Sequence, residues 1–520
     1  MKRRKFIKAS AAAGTIPVLL NGFGVSSLAM PSISSASNGD SDRVLVLIQL
    51  NGGNDGLNTI IPIDQYSNLV SVRSNVLVPE SAILPLTDEV GMHPSMTGLK
   101  NLYDNGKLNI IQSVGYPNQN RSHFRSMDIW NTGSDADEFL ETGWLGRYFE
   151  QDFPGYPEGY PTSSCPDPFA VTVGSLVSET CQGITGNYSQ AVNGVTGNEA
   201  LIEGASGNWP TDECYGAELS FLETSILQTN AYAESVQDAA DNGSNIAEYD
   251  DDNSLSQQLK IVANLISGGL QTSVYVVTLG GFDTHANQVE GGDTTVGDHA
   301  TLLGQLSSAI ATFQEDLQSL GIDQRVLGMT FSEFGRQIGS NEGLGTDHGT
   351  AAPLMVFGPC VNPIILGNNP EIPTEVFDQD GVPMQFDFRS VYGSILMDWF
   401  NVSEDDVSAL MFNEFSYIPI LLGCETSIDK EERFTEKIEI HNYPNPFTSQ
   451  TNIVFVTRAE KAKISIFDQR GAELQVLANR NFSEGKHTLV FDSTGLSAGN
   501  YYVRIITEDR QRTSSMVKVK

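Results

Sequence analysis

Short apolar runs, each followed by a polar loop, recur along this chain and constrain its fold more than any other feature. The first run, Leu45–Leu50, ends in the turn Asn51-Gly52-Gly53. Four similar runs lie at 108–114, 274–279, 326–331 and 353–357. A continuous apolar run of this length, bounded by turn residues, is typical of a strand that is buried on both faces. The sequence therefore predicts a sheet in the interior of the protein.

Helical periodicity separates these runs. One apolar stripe at helical spacing consists of Leu302, Leu303, Leu306, Ile310, Phe313 and Leu317. Strands that alternate with helices favour an α/β fold in which helices cover both faces of a mostly parallel sheet. Residues 151–252 interrupt the alternation with Gly, Asn, Ser and acidic residues, so we predict a loop-rich insertion there.

The charge of the chain is strongly negative and unevenly distributed. There are 64 acidic and 30 basic residues, a formal net charge of -34. Nucleic acid and anionic membrane surfaces would repel such a chain, so we exclude both as partners. From Lys437 to the end, however, 12 basic residues outnumber 8 acidic ones. This change predicts an acidic body over 43–422, a linker over 423–437 and a separate domain over 438–520.

The C-terminal domain has the pattern of an all-β unit. Alternating apolar and polar residues predict four strands, at 451–457, 463–467, 488–491 and 501–507. About 80 residues of short strands separated by turns favour a small β-sandwich. From this pattern alone, one interpretation is a carbohydrate-binding or adhesive β-sandwich.

The N-terminus has the features of an export signal over residues 1–29. Five basic residues precede the apolar stretch Ala11–Ala29, and Ser27-Leu28-Ala29 fits a small-residue cleavage site. Arg3-Arg4 resembles a twin-arginine signal, although an ordinary Sec signal is the alternative. We therefore expect the twin-arginine translocase as a partner and passage through the periplasm. No other apolar run approaches the ~20 residues of a membrane helix, so we expect no transmembrane segment in the mature protein.

The cysteines favour a disulfide rather than a metal site. Three of the five fall in one Gly/Ser/Pro-rich stretch, where one disulfide would close a long loop: Cys165, Cys181 and Cys214. The odd count leaves at least one free thiol or an unusual pairing. The other two, Cys360 and Cys424, also lack metal-binding spacing. A cysteine-based zinc site is not expected.

Motifs of the tail resemble a known family. They include Tyr443-Pro444-Asn445-Pro446-Phe447, Ile464-Ser465-Ile466-Phe467-Asp468, Thr494–Gly499 and Met516–Lys520. This set is similar to the type A C-terminal sorting domain of the type nine secretion system of the Bacteroidetes. The resemblance implies that the secretion system is a partner and that the protein reaches the cell surface or is secreted.

Potential metal ligands follow two of the predicted strands and one later loop. They are Asp283, His285, Glu333, Asp347 and His348. Loops after parallel strands meet at one edge of a sheet, so these side chains are expected to converge there. Carboxylates and imidazoles suit zinc or manganese, and a mostly oxygen set would also admit calcium. The sequence therefore predicts a site for a divalent metal.

Several motifs of the body together resemble the domain of unknown function 1501. They are Leu50–Thr59, Ser122-His123-Phe124, Trp130–Gly133, Gly281–His285, Ser332–Arg336 and Thr346–Gly349. That family is grouped with the alkaline phosphatase and sulfatase superfamily. The resemblance implies an alkaline-phosphatase-like α/β/α sandwich and leaves the substrate undefined.

The superfamily site, transferred residue by residue, adds further candidates. Asp283, His285 and His348 resemble metal ligands of the superfamily, whereas Asn51 stands where an aspartate usually binds the metal and Asp55 is the nearest acid. Ser122 is placed like the superfamily nucleophile, at a predicted helix N-terminus that could stabilise an anion. Its alternative role is that of a helix cap.

Three residues beside Ser122 complete the candidates. Arg121 and Arg125 could hold a phosphate or sulfate oxygen, and His123 is a further candidate ligand or supporting residue.

Two functions are open at this point. One is a metal-dependent hydrolase of phosphate or sulfate esters. The other is a non-catalytic surface or polymer-binding protein that reuses the fold, because a fold does not fix a function.

Overall fold

The computed structural model describes most of the chain. The described residues are 42–194, 232–412, 414–422, 439–457, 460–467, 473–483, 485–507 and 511–519. The predicted signal segment, Cys214, Cys424 and the predicted linker lie outside them. The chain divides between residues 424 and 425 into two compact units.

The body contains twelve named strands over the described residues. In chain order they are β1 (Val44–Asn51), β2 (Ile60–Pro62), β3 (Leu84–Pro85), β4 (Val90–Met92), β5 (Leu108–Gly115), β6 (Ala170–Val173), β7 (Ser189–Val192), β8 (Val274–Gly280), β9 (Val326–Phe331), β10 (Ala352–Phe357), β11 (Ile365–Leu366) and β12 (Phe386–Asp387). The five predicted apolar runs are all strands.

Nine of these strands form one mixed sheet. Its order is β11-β5-β10-β9-β1-β8-β6-β7, and β12 pairs with β5. Only β10 runs antiparallel to its neighbours β5 and β9, so the sheet is mostly parallel. The strand β1 lies in its middle, between β8 and β9. The remaining strands, β2, β4 and β3, form a small separate sheet.

Among the described residues of the body, the α-helices are α1 (Gly56–Thr59), α2 (Tyr66–Arg73), α3 (Thr97–Asp104), α4 (His123–Thr132), α5 (Trp144–Asp152), α6 (232–242), α7 (Ser254–Ser267), α8 (Asp298–Leu320), α9 (Phe388–Phe400) and α10 (Glu404–Leu410). The apolar stripe predicted between 302 and 317 lies within α8, where Leu303, Ile310 and Phe313 are fully buried.

Helices cover both faces of the main sheet because alternate residues of its strands enter different cores. Leu45 and Leu47 of β1 pack in the core that contains Trp399 of α9. Val46 and Ile48 pack in the core that contains residues of α7 and α8. Burying apolar side chains stabilises such layers by roughly 25 cal/mol per Å² removed from water. The predicted α/β/α arrangement is confirmed.

The interval 151–252 differs from the loop-rich insertion that the sequence suggests. It contributes β6 and β7, which pair in parallel and extend the main sheet beyond β8. Both strands have four residues, too short for a strong periodic signal in a Gly-rich and Ser-rich context. The predicted disulfide is also wrong for this interval, because Cys165 and Cys181 are free thiols while Cys360 is disulfide-bonded.

The C-terminal unit is all-β, as predicted. Its strands are β13 (Glu439–Tyr443), β14 (Gln450–Thr457), β15 (Glu460–Phe467), β16 (Glu473–Phe482), β17 (Gly485–Asp492), β18 (Gly499–Ile506) and β19 (Gln511–Lys518). They form two antiparallel sheets, β13-β14-β17 and β16-β15-β18-β19, around a shared apolar core. Across the described residues of both units, no helix has the length and apolarity needed to span a membrane.

Candidate metal centre

The candidate residues meet at one edge of the main sheet. The strands β5, β8 and β9 run in the same direction as β1, so the segments that follow them emerge at the same edge. His123 begins α4 after β5, Asp283 and His285 follow β8, and Glu333 follows β9. The segment that carries Asp347 and His348 leads into β10, whose start lies at this edge because β10 is antiparallel.

The carboxylate of Asp283 is at the centre of the cluster. Its Oδ1 lies 3.2 Å from Nε2 of His285 and 3.2 Å from Nε2 of His348. Its Oδ2 lies 3.4 Å from Nε2 of His123. Each of the three imidazoles therefore directs its Nε2 atom toward the carboxylate of Asp283. His285 and His348 were predicted as ligands, and His123 was a further candidate.

The opposite nitrogen of each ring is held by an acceptor. The Nδ1 of His123 lies 2.8 Å from Oε1 of Glu333, and the Nδ1 of His285 lies 2.6 Å from Oδ1 of Asp347. The Nδ1 of His348 lies 2.8 Å from the carbonyl oxygen of Arg121. A carbonyl can only accept, so Nδ1 of His348 donates, and a neutral ring then has its lone pair on Nε2.

The cluster has the composition and spacing of a metal site. The Nε2 atoms of His285 and His348 lie 2.8 Å apart, and each of the three Nε2 atoms lies 3.2 to 3.4 Å from an oxygen of Asp283, close to the ~3.3 Å between ligands of a tetrahedral ion with bonds of about 2.0–2.1 Å. His123, Asp283 and His348 each offer a ligand atom within 4.8 Å of the others. The Nε2 of His123 is buried and has no hydrogen-bond partner among the described residues. These residues fit a bound divalent cation.

Glu333 and Asp347 do not face the centre in the way that the sequence suggests. Glu333 is fully buried, and its Oε1 also accepts the backbone N–H of Gly52 at 2.9 Å. Asp347 is half-exposed and uses Oδ1 for His285. Both carboxylates contact the Nδ1 side of a histidine, so they lie behind the cluster rather than within it.

Arg336 supports the cluster, and sequence reasoning missed this role. Its buried guanidinium donates to the carbonyls of Gly53 (2.7 Å) and Thr346 (2.9 Å) and to Oδ1 of Asp283 (2.8 Å). Burial would raise the pKa of Asp283, but the hydrogen bond and charge of Arg336 outweigh it and lower this pKa. Asp283 is therefore ionised. A buried arginine among loop carbonyls could have been suspected from Ser332–Arg336 directly after a strand.

A glycine at the end of β1 allows the loops to approach one another. Gly52 has φ +125°, and a Cβ there would lie 2.4 Å from the backbone nitrogen of Asp283. The aromatic ring of Phe334 packs against the ring of His348, with 4.7 Å between the two ring centroids. Close packing thus fixes the positions of the cluster's backbone and rings.

The candidates around Ser122 are placed differently from one another. Ser122 is exposed at the N-cap of α4, next to His123, and its hydroxyl makes no capping hydrogen bond. Arg121 donates to the carbonyl of His348 at 3.1 Å and to that of Gln379 at 2.6 Å. Arg125 instead pairs with Asp128 and donates to the carbonyl of Asp135. Arg121 thus borders the cluster, and the contacts of Arg125 are with the segment 128–138.

Asp55 belongs to a separate buried network. Its carboxylate pairs with the guanidinium of Arg73 at 2.7 Å and accepts the amide of Gln288 at 2.6 Å. Burial would raise the pKa of Asp55, but Arg73 outweighs it and lowers this pKa. His299 lies in the same network, with Nε2 3.0 Å from Oδ1 of Asn54. The suggestion of Asp55 as a further metal-site residue is therefore not supported, because its oxygens already bind the buried guanidinium of Arg73 and the amide of Gln288.

Several solved structures resemble this chain weakly. A protein in the alkaline phosphatase superfamily from Vibrio parahaemolyticus has a TM-score of 0.31 and 11% identity, over 91% of this chain and 90% of that one. The PsFucS1 sulfatase from Pseudoalteromonas sp. gives 0.32 and 9%, over 86% and 84%. A phosphonate monoester hydrolase from Silicibacter pomeroyi gives 0.30 and 11%, over 88% and 90%.

The search of curated proteins found no match to this chain. Two family models, however, match separate parts of it. The family described as Protein of unknown function (DUF1501) matches residues 234–388, which include Asp283, His285 and His348. The family described as Secretion system C-terminal sorting domain matches residues 441–519, the all-β unit. The chain therefore combines a segment that matches the DUF1501 family with a C-terminal secretion-sorting domain.

Proposed function

We propose that this protein is an exported, metal-dependent hydrolase of phosphate or sulfate esters. The convergence of the Nε2 atoms of His123, His285 and His348 on Asp283 carries this proposal. Such a set suits zinc or manganese better than calcium, because three of its four donors are imidazole nitrogens. The C-terminal sorting domain supports export to the cell surface or into the medium.

A divalent cation held by these four side chains would act as a Lewis acid toward an ester oxygen and would lower the pKa of a bound water. Glu333 and Asp347 would then orient His123 and His285 through their Nδ1 atoms, as carboxylates behind metal-binding histidines commonly do. Arg336 keeps Asp283 ionised, which a ligand requires. One metal fits this donor set, because Asn51 and the paired Asp55 offer no second carboxylate there.

Ser122 is the candidate nucleophile of the reaction. Its hydroxyl is exposed and unused for capping, at the positive end of α4 and adjacent to His123. Backbone amides at a helix N-terminus stabilise the charge of an anionic ester. Attack requires an approach of about 3–3.5 Å to the reacting atom. Arg121, which borders the cluster, is the candidate partner for an ester oxygen.

Ester hydrolysis by the mature chain, without residues 1–29, tests this proposal. The chain is loaded with zinc or manganese and assayed with 4-nitrophenyl phosphate and 4-nitrophenyl sulfate. We expect hydrolysis of one ester, its loss in His285→Ala, and its retention in the control His487→Ala, since His487 lies in the sorting domain. Full activity in Ser122→Ala would assign the attack to water instead. Metal binding without hydrolysis of either ester would contradict the enzyme and favour a binding protein.

A further inference from the structure

A groove opens beside the candidate metal centre. It has a volume of about 640 Å³ and is lined by parts of α2, of the segment 337–347 and of the segment 374–378. This volume lies in the range of small-molecule sites, roughly 300–1,000 Å³. Asp347 connects the two places, because it lines the groove and holds His285 through Oδ1.

One largely buried side chain that lines the groove has an amide nitrogen free to donate. Gln337 is only 7% exposed, and its Oε1 accepts the backbone N–H of Gln379 at 3.3 Å. Within the described part of the chain, its Nε2 has no hydrogen-bond partner. Nε2 is therefore a donor that faces the groove and is not an enclosed atom. A ligand oxygen in the groove would satisfy it.

The ionisable groups of the groove are all acidic. The carboxylates of Asp347, Glu375 and Asp378 line it, and no lysine or arginine does. Asp347 keeps its Oδ2 without a partner in the described residues. Ionised carboxylates accept hydrogen bonds and repel anions. Together with the amide donor of Gln337, they match a group that both donates and accepts, which is the property of a hydroxyl.

An aromatic ring completes the groove. Phe377 lines the groove and is 78% exposed. Its ring offers a flat apolar surface beside the hydrogen-bonding groups. Such a combination fits the alternating C–H faces and hydroxyls of a sugar ring.

We infer that this groove binds the neutral, hydroxyl-rich part of the substrate, a saccharide that carries a single ester, and excludes polyanions. The inference rests on the proposed function for the ester but concerns a separate set of residues. Gln337 and the carboxylates recognise hydroxyls, and Phe377 stacks on the ring. Asp347 places the bound sugar next to the histidine cluster.

Binding and selectivity test the inference. Calorimetry with the mature chain uses neutral tetrasaccharides of glucose, mannose, galactose and xylose as probes, and heparin as the polyanion. We expect one neutral probe to bind, heparin not to bind, and Phe377→Ala to weaken binding about five- to tenfold through lost apolar contact. Phe139→Ala is the matched control, because Phe139 is 76% exposed outside the groove. Binding of heparin but of no neutral probe would overturn the inference, as would no binding at all.

A second measurement separates this inference from the hydrolase itself. The ratio of kcat/KM for glucose 6-phosphate or glucose 6-sulfate to that for the 4-nitrophenyl ester should fall in Phe377→Ala and Asp378→Asn and stay constant in Phe139→Ala. If this kcat/KM ratio is unchanged in Phe377→Ala and the 4-nitrophenyl ester is still fully hydrolysed, the sugar-binding groove is contradicted and the hydrolase is not. If sugar binding depends on Phe377 but no ester is hydrolysed, the hydrolase is contradicted and the sugar-binding groove is not.

Discussion

The Nε2 atoms of His285 and His348 lie 2.8 Å apart. The Nδ1 atoms of both rings are engaged, by Asp347 and by the carbonyl of Arg121 respectively. Two lone pairs cannot face each other at this separation without a proton or a cation between them. With the ionised Asp283 beside them, the pair forms a binding site for positive charge.

Loss of one imidazole should remove the metal. We expect the mature chain to bind close to one zinc ion per molecule and His285→Ala to bind at least ~100-fold more weakly, since only three ligands remain. The fold should persist because the side chain of His285 is 43% exposed. Calorimetric titration with zinc and circular dichroism measure both quantities. Equal affinity in the variant and in the control His487→Ala would contradict the site.

The carboxylate behind His285 should tune the same affinity. Asp347→Ala removes the 2.6 Å contact to Nδ1 and frees the ring to rotate, so zinc affinity should fall about 10–100-fold. Glu342→Ala is the control, because Glu342 is an exposed acid of the same loop. If both variants bind zinc equally well, Asp347 has no orienting role.

The strands and the main site residues were predictable because both have local signals. Apolar runs mark strands such as β1 and β8, and Asp283, His285 and His348 stand directly in the loops at one sheet edge. The sequence does not tell which nitrogen of a histidine a carboxylate will face. Glu333 and Asp347 were therefore predicted as ligands, although they contact Nδ1 atoms.

Other features depend on contacts between distant segments. The role of Arg336 requires the carbonyls of Gly53 and Thr346, which only the folded loops bring together. The short strands β6 and β7 have too few residues for a periodic pattern. Their place in the sheet is set by pairing with β8 rather than by local preference.

The buried histidine His299 should make the body less stable in acid. Burial lowers the pKa of His299 to about 4, despite the opposing charge of Asp55. The unfolded chain has a histidine pKa near ~6.5, so between these values only the unfolded state gains the proton and the free energy of unfolding falls by about 1.4 kcal/mol per pH unit. His93, with a pKa lowered to about 3 by burial, adds to the effect.

Urea unfolding followed by tryptophan fluorescence at pH 7, 6 and 5 measures this dependence. His299→Gln, which keeps a polar group near Asn54, should show a shallower loss of stability than the wild type. His487→Gln in the sorting domain serves as the control and should leave the slope unchanged. If the free energy of unfolding of His299→Gln falls with decreasing pH as steeply as that of the wild type, His299 is not the cause of the acid sensitivity.

Export should depend on both ends of the chain. Replacing Arg3 and Arg4 by lysine should stop passage across the inner membrane if the signal is of the twin-arginine type, because that pathway reads the arginine pair. Deleting residues 440–520 should leave the body in the periplasm. Fractionation and protease accessibility on intact cells measure both outcomes. Export of the lysine variant would indicate a Sec signal, and surface exposure without the tail would contradict the sorting role.

The central position of β1 has a consequence for how the chain is made. Its partners β8 and β9 begin at Val274 and Val326, so a ribosome releases this apolar strand long before either neighbour exists. Pairing between such distant segments is slow and leaves unpaired strands open to aggregation. We therefore expect the nascent chain to need a chaperone until about residue 331 has emerged. A truncation before that point should yield insoluble protein, whereas one after residue 424 should not.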